Sequence, residues 1–362
     1  MTHRYFPSLD GLRTIAVGIV LAAHGGLSYF RSGGVGVDIF FVLSGFLITS
    51  ILAAECHTSG TVSLRNFYAR RFLRLAPALV LMCAFAAAAM LLMGQHFPAT
   101  EIALSLSYTI NWARAFYDVD YGWFNHTWTL AIEEQFYLLW PLVVIVLDRV
   151  TRRPALKAAI FVGLALVVAV YRARMVGIFS DERINYALDT RMDSLMTGAA
   201  LAYLVRSLPG GKLPDRVGRF LGQIVAPFAL AVLFAIPQVV TWYSPWMGWI
   251  GYSIVAVCSA LVIADLVAGG HSRLERILST RPMVYVGRIS YGIYLFHLPV
   301  YHLVELAAPG ASLLAKLPFK LAVSIGLAAA SYSLVEKQFL RLKSRFAPAA
   351  AVTPNGVIGR PE

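Results

Sequence analysis

The chain has 362 residues, 58% hydrophobic and only 14% charged, with a formal net charge of +12 and a mean hydropathy of +0.67. Soluble domains carry about a quarter charged residues, and here the apolar residues run in long blocks, which excludes an ordinary water-soluble fold and indicates membrane spans. The basic residues sit at block ends, so anionic lipid headgroups rather than nucleic acid are the expected partner, with an anionic cofactor on the same face as the sharper alternative.

Ten spans are predicted at residues 12–30, 35–54, 76–93, 127–148, 155–175, 185–205, 220–236, 248–268, 283–306 and 317–336. Five basic clusters separate pairs of spans: Arg65/Arg70/Arg71/Arg74, Arg149/Arg152/Arg153/Lys157, Arg206/Lys212/Arg216/Arg219, Arg273/Arg276/Arg281 and Lys337/Arg341/Lys343/Arg345. The opposite turns carry almost no positive charge, so the clusters mark the cytoplasmic side and both termini are expected there. Residues 99–117 are short and carry Asn111, Trp112 and Arg114. Counting them as a crossing would put the loop at 149–157 outside, so they are expected to be re-entrant or interfacial. The expected fold is thus all-α, a polytopic transmembrane helix bundle over 1–345, followed by a disordered tail over 346–362. No cleavable signal peptide is expected, and Cys56, Cys83 and Cys258 show neither a disulfide nor a metal spacing.

Ionisable groups inside spans are costly and usually functional. In the first span Arg13 and His24 are eleven residues apart, which returns to nearly one helix face about 16 Å further along; a snorkelling Arg and a packing His is the structural alternative. Asp38 and Ser44 lie in a glycine-rich second span, where Asp38 needs a partner, either His24 or an arginine. Arg70, Arg71 and Arg74 open the third span. Arg71 and Arg74 share a face, and arginine forks suit phosphate oxygens, although a cytoplasmic charge cluster alone explains them. Glu133 and Glu134 begin an apolar helix and point in different directions, so at least one of them is expected to face the interior. Ser290, Tyr294, His297 and Tyr301 make one polar stripe, for catalysis or for a hydrogen-bonded packing network. Trp242, Tyr243, Trp246 and Trp249 read as an aromatic belt, with sugar stacking as the alternative.

The run Leu9-Asp10-Gly11-Leu12-Arg13 followed by His24, the Gly-Val-Asp-Ile-Phe-Phe-Val-Leu-Ser-Gly-Phe run from Gly36, Arg71-x-x-Arg74, Thr-Trp-Thr-Leu-x-x-Glu-Glu-Gln-Phe-Tyr from Thr127 and Ile289-Ser290-Tyr291 leading to His297 resemble the membrane-bound acyltransferase-3 family, in order and over almost the whole chain. The resemblance implies a bacterial inner-membrane, multi-pass O-acyltransferase of envelope carbohydrates or small molecules, with the Arg13/His24 and Arg71/Arg74 pairs functional. Glu336-Lys337 departs from the Glu-Arg-Pro of many members, so no catalytic role is expected there. The soluble hydrolase-like domain some members carry after the last span is not expected.

In that picture Arg70, Arg71 and Arg74 hold the phosphates of acyl-CoA, acetyl being the expected acyl group, and no metal takes part. Arg13 guides the thioester and His24 is the general base. Asp38 or Glu133 orients the imidazole. Glu134, Tyr294, His297 and Ser44 contact the acceptor, and Ser44, Tyr294 and Arg13 are oxyanion-donor candidates. The acceptor, free or lipid-linked, is an O-antigen, exopolysaccharide, peptidoglycan or macrolide hydroxyl. A proton- or anion-coupled transporter and a ligand sensor are the competing classes.

Overall fold

A computed structural model describes residues 5–270 and 272–346, and among them the secondary structure is helical apart from one isolated bridge between Val176 and Phe179. In chain order the α-helices are α1 (Pro7–His24), α2 (Gly34–Ser59), α3 (Leu64–Leu92), α4 (Ala99–Leu106), α5 (Ile110–Tyr117), α6 (Trp128–Val150), α7 (Pro154–Met175), α8 (Asp181–Tyr186), α9 (Leu188–Ser207), α10 (Asp215–Phe220), α11 (Ala226–Val239), α12 (Tyr252–Ala264), α13 (Arg273–Leu278), α14 (Arg281–Arg288), α15 (Ser290–Ala307), α16 (Leu313–Ser331) and α17 (Lys337–Leu342). Short 3-10 or π turns continue several of them. Beyond Phe346 the expected tail lies outside the described residues.

Among the described residues, seven helical stretches are long and apolar enough to cross a membrane: Gly34–Ser59, Leu64–Leu92, Gly122–Val150, Pro154–Met175, Pro209–Val239, Met247–Gly269 and Leu313–Leu342. Three further helices, α1, α9 and α15, have 18, 20 and 18 residues, enough for most of a bilayer. Their apolarity is diluted by Arg13, by Arg191 with Asp193, and by His297 with Glu305. Of these groups Arg191, Asp193 and His297 are buried.

The first predicted span needs correction. Its helix starts at Pro7, whose fixed φ suits the first turn, and stops at His24 because Gly26 takes a φ of +86°. Residues 25–33 are therefore a loop, and His24 ends the helix rather than lying within it. The predicted span 283–306 is likewise broken at Ile289, between α14 and α15.

Residues 99–117 form two eight-residue helices, each about 12 Å long and too short to cross. The break between them is held by α6, where Gln135 donates to the Tyr108 carbonyl (2.7 Å) and to Asn111 Oδ1 (2.8 Å), and accepts from Trp112 Nε1 (3.0 Å).

The bundle is organised around α2. In the most apolar stretch of α2, 72% of residues are buried against 17% in α7, so α2 is central and α7 is the outer layer. Two small residues let α9 come in. A Cβ on Gly45 would meet the Leu195 carbonyl at 1.9 Å, and one on Gly198 would meet the Val42 carbonyl at 2.1 Å. Such close backbone approach is how helices associate in lipid, where no hydrophobic force drives them together.

Candidate active site

One end of the polar seam is cationic. Arg71 and Arg74 lie one turn apart on α3. The Arg71 guanidinium stacks 3.8 Å over the Tyr137 ring, and its Nη2 is 3.6 Å from Glu134 Oε1. Arg13 Nη1 donates to Asp10 Oδ1 at 2.6 Å. Arg70 is bound away from this group, to Glu55 Oε2 at 3.2 Å and to the Phe346 carbonyl at 2.5 Å. Glu55 also caps Ser63 N–H at 2.8 Å, so Arg70 helps hold the α2–α3 turn. Arg74 has no hydrogen bond or ion pair among the described residues; its electrostatic neighbours include Arg13, Arg71 and Asp10. Lys343 lies close to Arg74, Arg71 and Arg70. Cations gathered this closely, one without a carboxylate, leave positive charge for an anion to neutralise.

The other end is built of imidazoles. His24, on the last residue of α1, meets His297 of α15, with Nδ1 3.3 Å from His297 Nε2 and 3.1 Å from the Val20 carbonyl. The partners fix the tautomers. His297 Nδ1 lies 2.5 Å from the Tyr294 carbonyl and must donate to it. Its Nε2 is therefore a lone pair, and His24 Nδ1–H is shared between that lone pair and Val20 O. The Nε2 of His24 is left unprotonated and uncommitted. His24 keeps part of its surface exposed, while His297 is fully buried.

A row on α6 connects the two ends. Thr129, Glu133 and Tyr137 recur every four residues and share a face. Thr129 donates to Tyr294 Oη (2.9 Å), and Tyr294 donates to the His126 carbonyl (2.9 Å). Glu133 accepts from Ser44 of α2. Tyr137 lies under Arg71. The seam thus runs from the α3 arginines along α6 and α1 to His24.

Its residues separate into distinct groups. Arg13, Arg71, Arg74, Glu133, Glu134 and Ser44 gather at the cationic end and middle, and His24, Tyr294 and His297 at the imidazole end. Asp38 stands apart: it is fully buried against Arg191 at 2.7 Å and accepts from Ser194 at 3.1 Å. Of the two partners considered for it, an arginine is the one present. Neither Asp38 nor Glu133 is bonded to an imidazole; backbone carbonyls and a second histidine set the ring of His24. The hydroxyl protons of Tyr294 and Ser44 are committed, to His126 O and Glu133, so neither is a free oxyanion donor as placed. Trp242 packs inward at 5.3 Å from Tyr252 and 6.1 Å from Trp128, whereas Trp249 is exposed.

Sequence reasoning passed over three contributors. His126 sits in the imidazole group, its ring 5.3 Å from that of His297, with Nε2 2.9 Å from the Leu295 carbonyl. Its place directly before Thr127 was the available signal. Arg191, in the charged run 189–193, is the buried partner of Asp38. Lys343 was visible only as one member of the last basic cluster.

A family model described as an acyltransferase domain matches residues 6–333. Among curated proteins the chain is 33% identical over 315 residues to the peptidoglycan O-acetyltransferase OatA of Listeria monocytogenes, covering 83% of this chain and 50% of that protein. It is 34% identical over 352 residues to the putative peptidoglycan O-acetyltransferase YrhL of Bacillus subtilis (92% and 55%). It is 30% identical over 312 residues to putative O-acetyltransferases of Staphylococcus aureus (83% and 52%). The chain spans about half the length of these relatives. No solved structure matches it. With the family match running from the first turn of α1 into the turn after α16, and the motif residues gathered along one seam, the chain belongs to the membrane-bound acyltransferase-3 family.

Proposed function

We propose that the protein is a ten-span inner-membrane O-acetyltransferase with cytoplasmic termini. It moves acetyl from cytoplasmic acyl-CoA to a hydroxyl of an envelope carbohydrate on the far side. The single observation that carries this reading is the seam itself: clustered guanidinium groups, one of them (Arg74) without a direct carboxylate partner among the described residues, at one end and an imidazole with a free Nε2 lone pair at the other. The arginine end suits a polyanionic donor, and the basic loops that flank it suit the cytoplasm. The imidazole end lies about 16 Å along α1 from Arg13, within reach of the pantetheine arm of a donor whose phosphates stay behind. Peptidoglycan is the acceptor suggested by the names of two relatives, alongside O-antigen and exopolysaccharide.

In this reading His24 Nε2 takes the proton of the acceptor hydroxyl as its oxygen attacks the thioester carbonyl. The C–S bond breaks and the coenzyme thiolate leaves, to be protonated in its turn. A neutral imidazole suits this work, and His297 with Val20 O keeps the lone pair on the correct nitrogen. Arg71, Arg74 and Arg13 bind the donor phosphates. Glu133 and Glu134 hold these cations and Ser44 in place. Asp38 serves the fold.

Purified enzyme in vesicles, assayed for thioester consumption and acetylated muropeptide, tests the assignment. His24→Ala should lower transfer by about 10² to 10⁴-fold while the protein keeps its thermal transition. The Arg71→Gln/Arg74→Gln double variant should weaken acyl-CoA binding. Full transfer in the His24 variant, or unchanged donor affinity in the double variant, would refute the respective role.

A further inference from the structure

Beyond the seam, the cytoplasmic end of α1 carries a cleft that the acyl transfer has not so far used. α13 and α14 clamp that end tightly. A Cβ on Gly287 would meet the Asp10 carbonyl at 1.8 Å, one on Gly11 would meet that of Leu278 at 2.0 Å, and Thr14 Oγ1 donates to the Met283 carbonyl at 2.6 Å. Beside the clamp lies a cavity of about 260 Å³ lined by Tyr5, Ser279, Arg281, Tyr285 and Arg288 among others. It is smaller than the ~300–1,000 Å³ of sites that enclose a whole drug-sized ligand, so it suits one end of a larger molecule.

The lining is specific in kind. Arg281 makes no ion pair among the described residues. Arg288 donates to Tyr5 Oη at 3.2 Å, and the carboxylate nearest to it, Asp10, is 4.0 Å away. Tyr5 and Tyr285 are each about half exposed, at 55% and 52%. Guanidinium forks for a phosphate and aromatic faces for a planar base thus share one cleft. Asp10 ties the cleft to the seam: it accepts from Tyr5 Oη and from Arg13 Nη1, both at 2.6 Å. Anything seated in the cleft is one carboxylate away from Arg13.

We propose that this cleft binds the adenosine 3′-phosphate end of the acyl-CoA donor, with Arg281 and Arg288 on the 3′-phosphate and the tyrosine rings against the purine. The proposal rests on the donor reading above. It divides the labour among the cations: the cleft takes the nucleotide, Arg13, Arg71 and Arg74 take the pyrophosphate, and the pantetheine arm follows α1 toward His24. A phosphate ester also occurs on anionic lipid headgroups, and the test separates the two sources.

The experiment measures KM for acetyl-CoA and for 3′-dephospho-acetyl-CoA, with purified enzyme in neutral detergent free of anionic lipid. The wild type should prefer the phosphorylated donor by about tenfold or more, the worth of one charge-assisted contact, and adenosine 3′,5′-bisphosphate should compete. Arg281→Gln and Arg288→Gln should each raise KM for acetyl-CoA and reduce that preference, and Tyr285→Ala should weaken inhibition by the bisphosphate. Both arginines are exposed, so these variants should fold. Equal use of the two donors by the wild type, or an unaltered preference in every variant, would overturn the proposal while acyl-CoA turnover still upheld the donor reading. Variants that lose only binding to phosphatidylglycerol vesicles would make the cleft a headgroup site and overturn it as well. No consumption of either thioester would overturn both.

Discussion

The lone pair on His24 Nε2 exists because of what the other nitrogen touches. His297 Nδ1 is committed to the Tyr294 carbonyl, which turns its Nε2 into an acceptor and keeps a proton on His24 Nδ1. In the proposed mechanism a second histidine thus takes the orienting task often given to a carboxylate, without a buried negative charge beside the base. At the opposite end Lys343 is the titratable member of the cation group. Burial, and then the charges of Arg74, Arg71 and Arg70, pull its pKa down from an ordinary 10.5 to about 8. Between those two values the unfolded chain holds a proton the folded chain lacks, so rising pH stabilises the fold there. Donor binding runs the other way, because the ammonium charge is lost as pH passes 8. Acyl-CoA affinity should therefore fall several-fold from pH 7 to 9, with the slope flattened in Lys343→Gln. A titration by calorimetry checks it, and an equally steep slope in the variant would remove Lys343 from the donor site.

At the level of elements, the α2–α9 contact is where polar chemistry serves architecture. Asp38 meets Arg191, whose guanidinium also lies 3.5 Å from the Tyr252 ring centroid. Next to them Arg172 pairs with Asp193 at 2.7 Å and donates to the carbonyls of Gly248 and Thr190. The two buried ion pairs join three helices, α2, α7 and α9, and the stacking of Arg191 on Tyr252 adds α12. Removing one partner leaves a charge in a place without water, which costs about 3–5 kcal/mol. Asp38→Asn should therefore lower the thermal midpoint sharply, while any correctly folded fraction keeps its donor affinity; an unchanged midpoint would contradict the structural role. The positions of the helices were legible in the sequence because apolar length and Pro and Gly signals are local. The α1 boundary was misjudged because Gly25-Gly26 was read as part of an apolar run. The stripe Ser290, Tyr294, His297 and Tyr301 could be read from its spacing, and all four side chains are buried. The partner of Asp38 could not, since Arg191 lies 153 residues further on and only tertiary packing joins them. His126 was hidden for the same reason: its neighbours come from α15.

For the whole molecule, the claim is that one polar route crosses a bilayer between two compartments. Its proposed direction rests on the basic loops. Cysteines introduced at the exposed positions Thr61 and Asp118 should report opposite sides, with an impermeant maleimide labelling Asp118→Cys on intact cells and Thr61→Cys only after permeabilisation. The reverse pattern would invert the topology. The most direct test of the route is a sided reaction. The enzyme is reconstituted in sealed vesicles and sorted to one orientation, with radiolabelled acetyl-CoA confined to the arginine face and a glycan acceptor confined to the histidine face. Labelled glycan should form with wild-type enzyme and fall to background with His24→Ala. Label reaching the acceptor only when both substrates share one side, or reaching it undiminished without His24, would contradict the account.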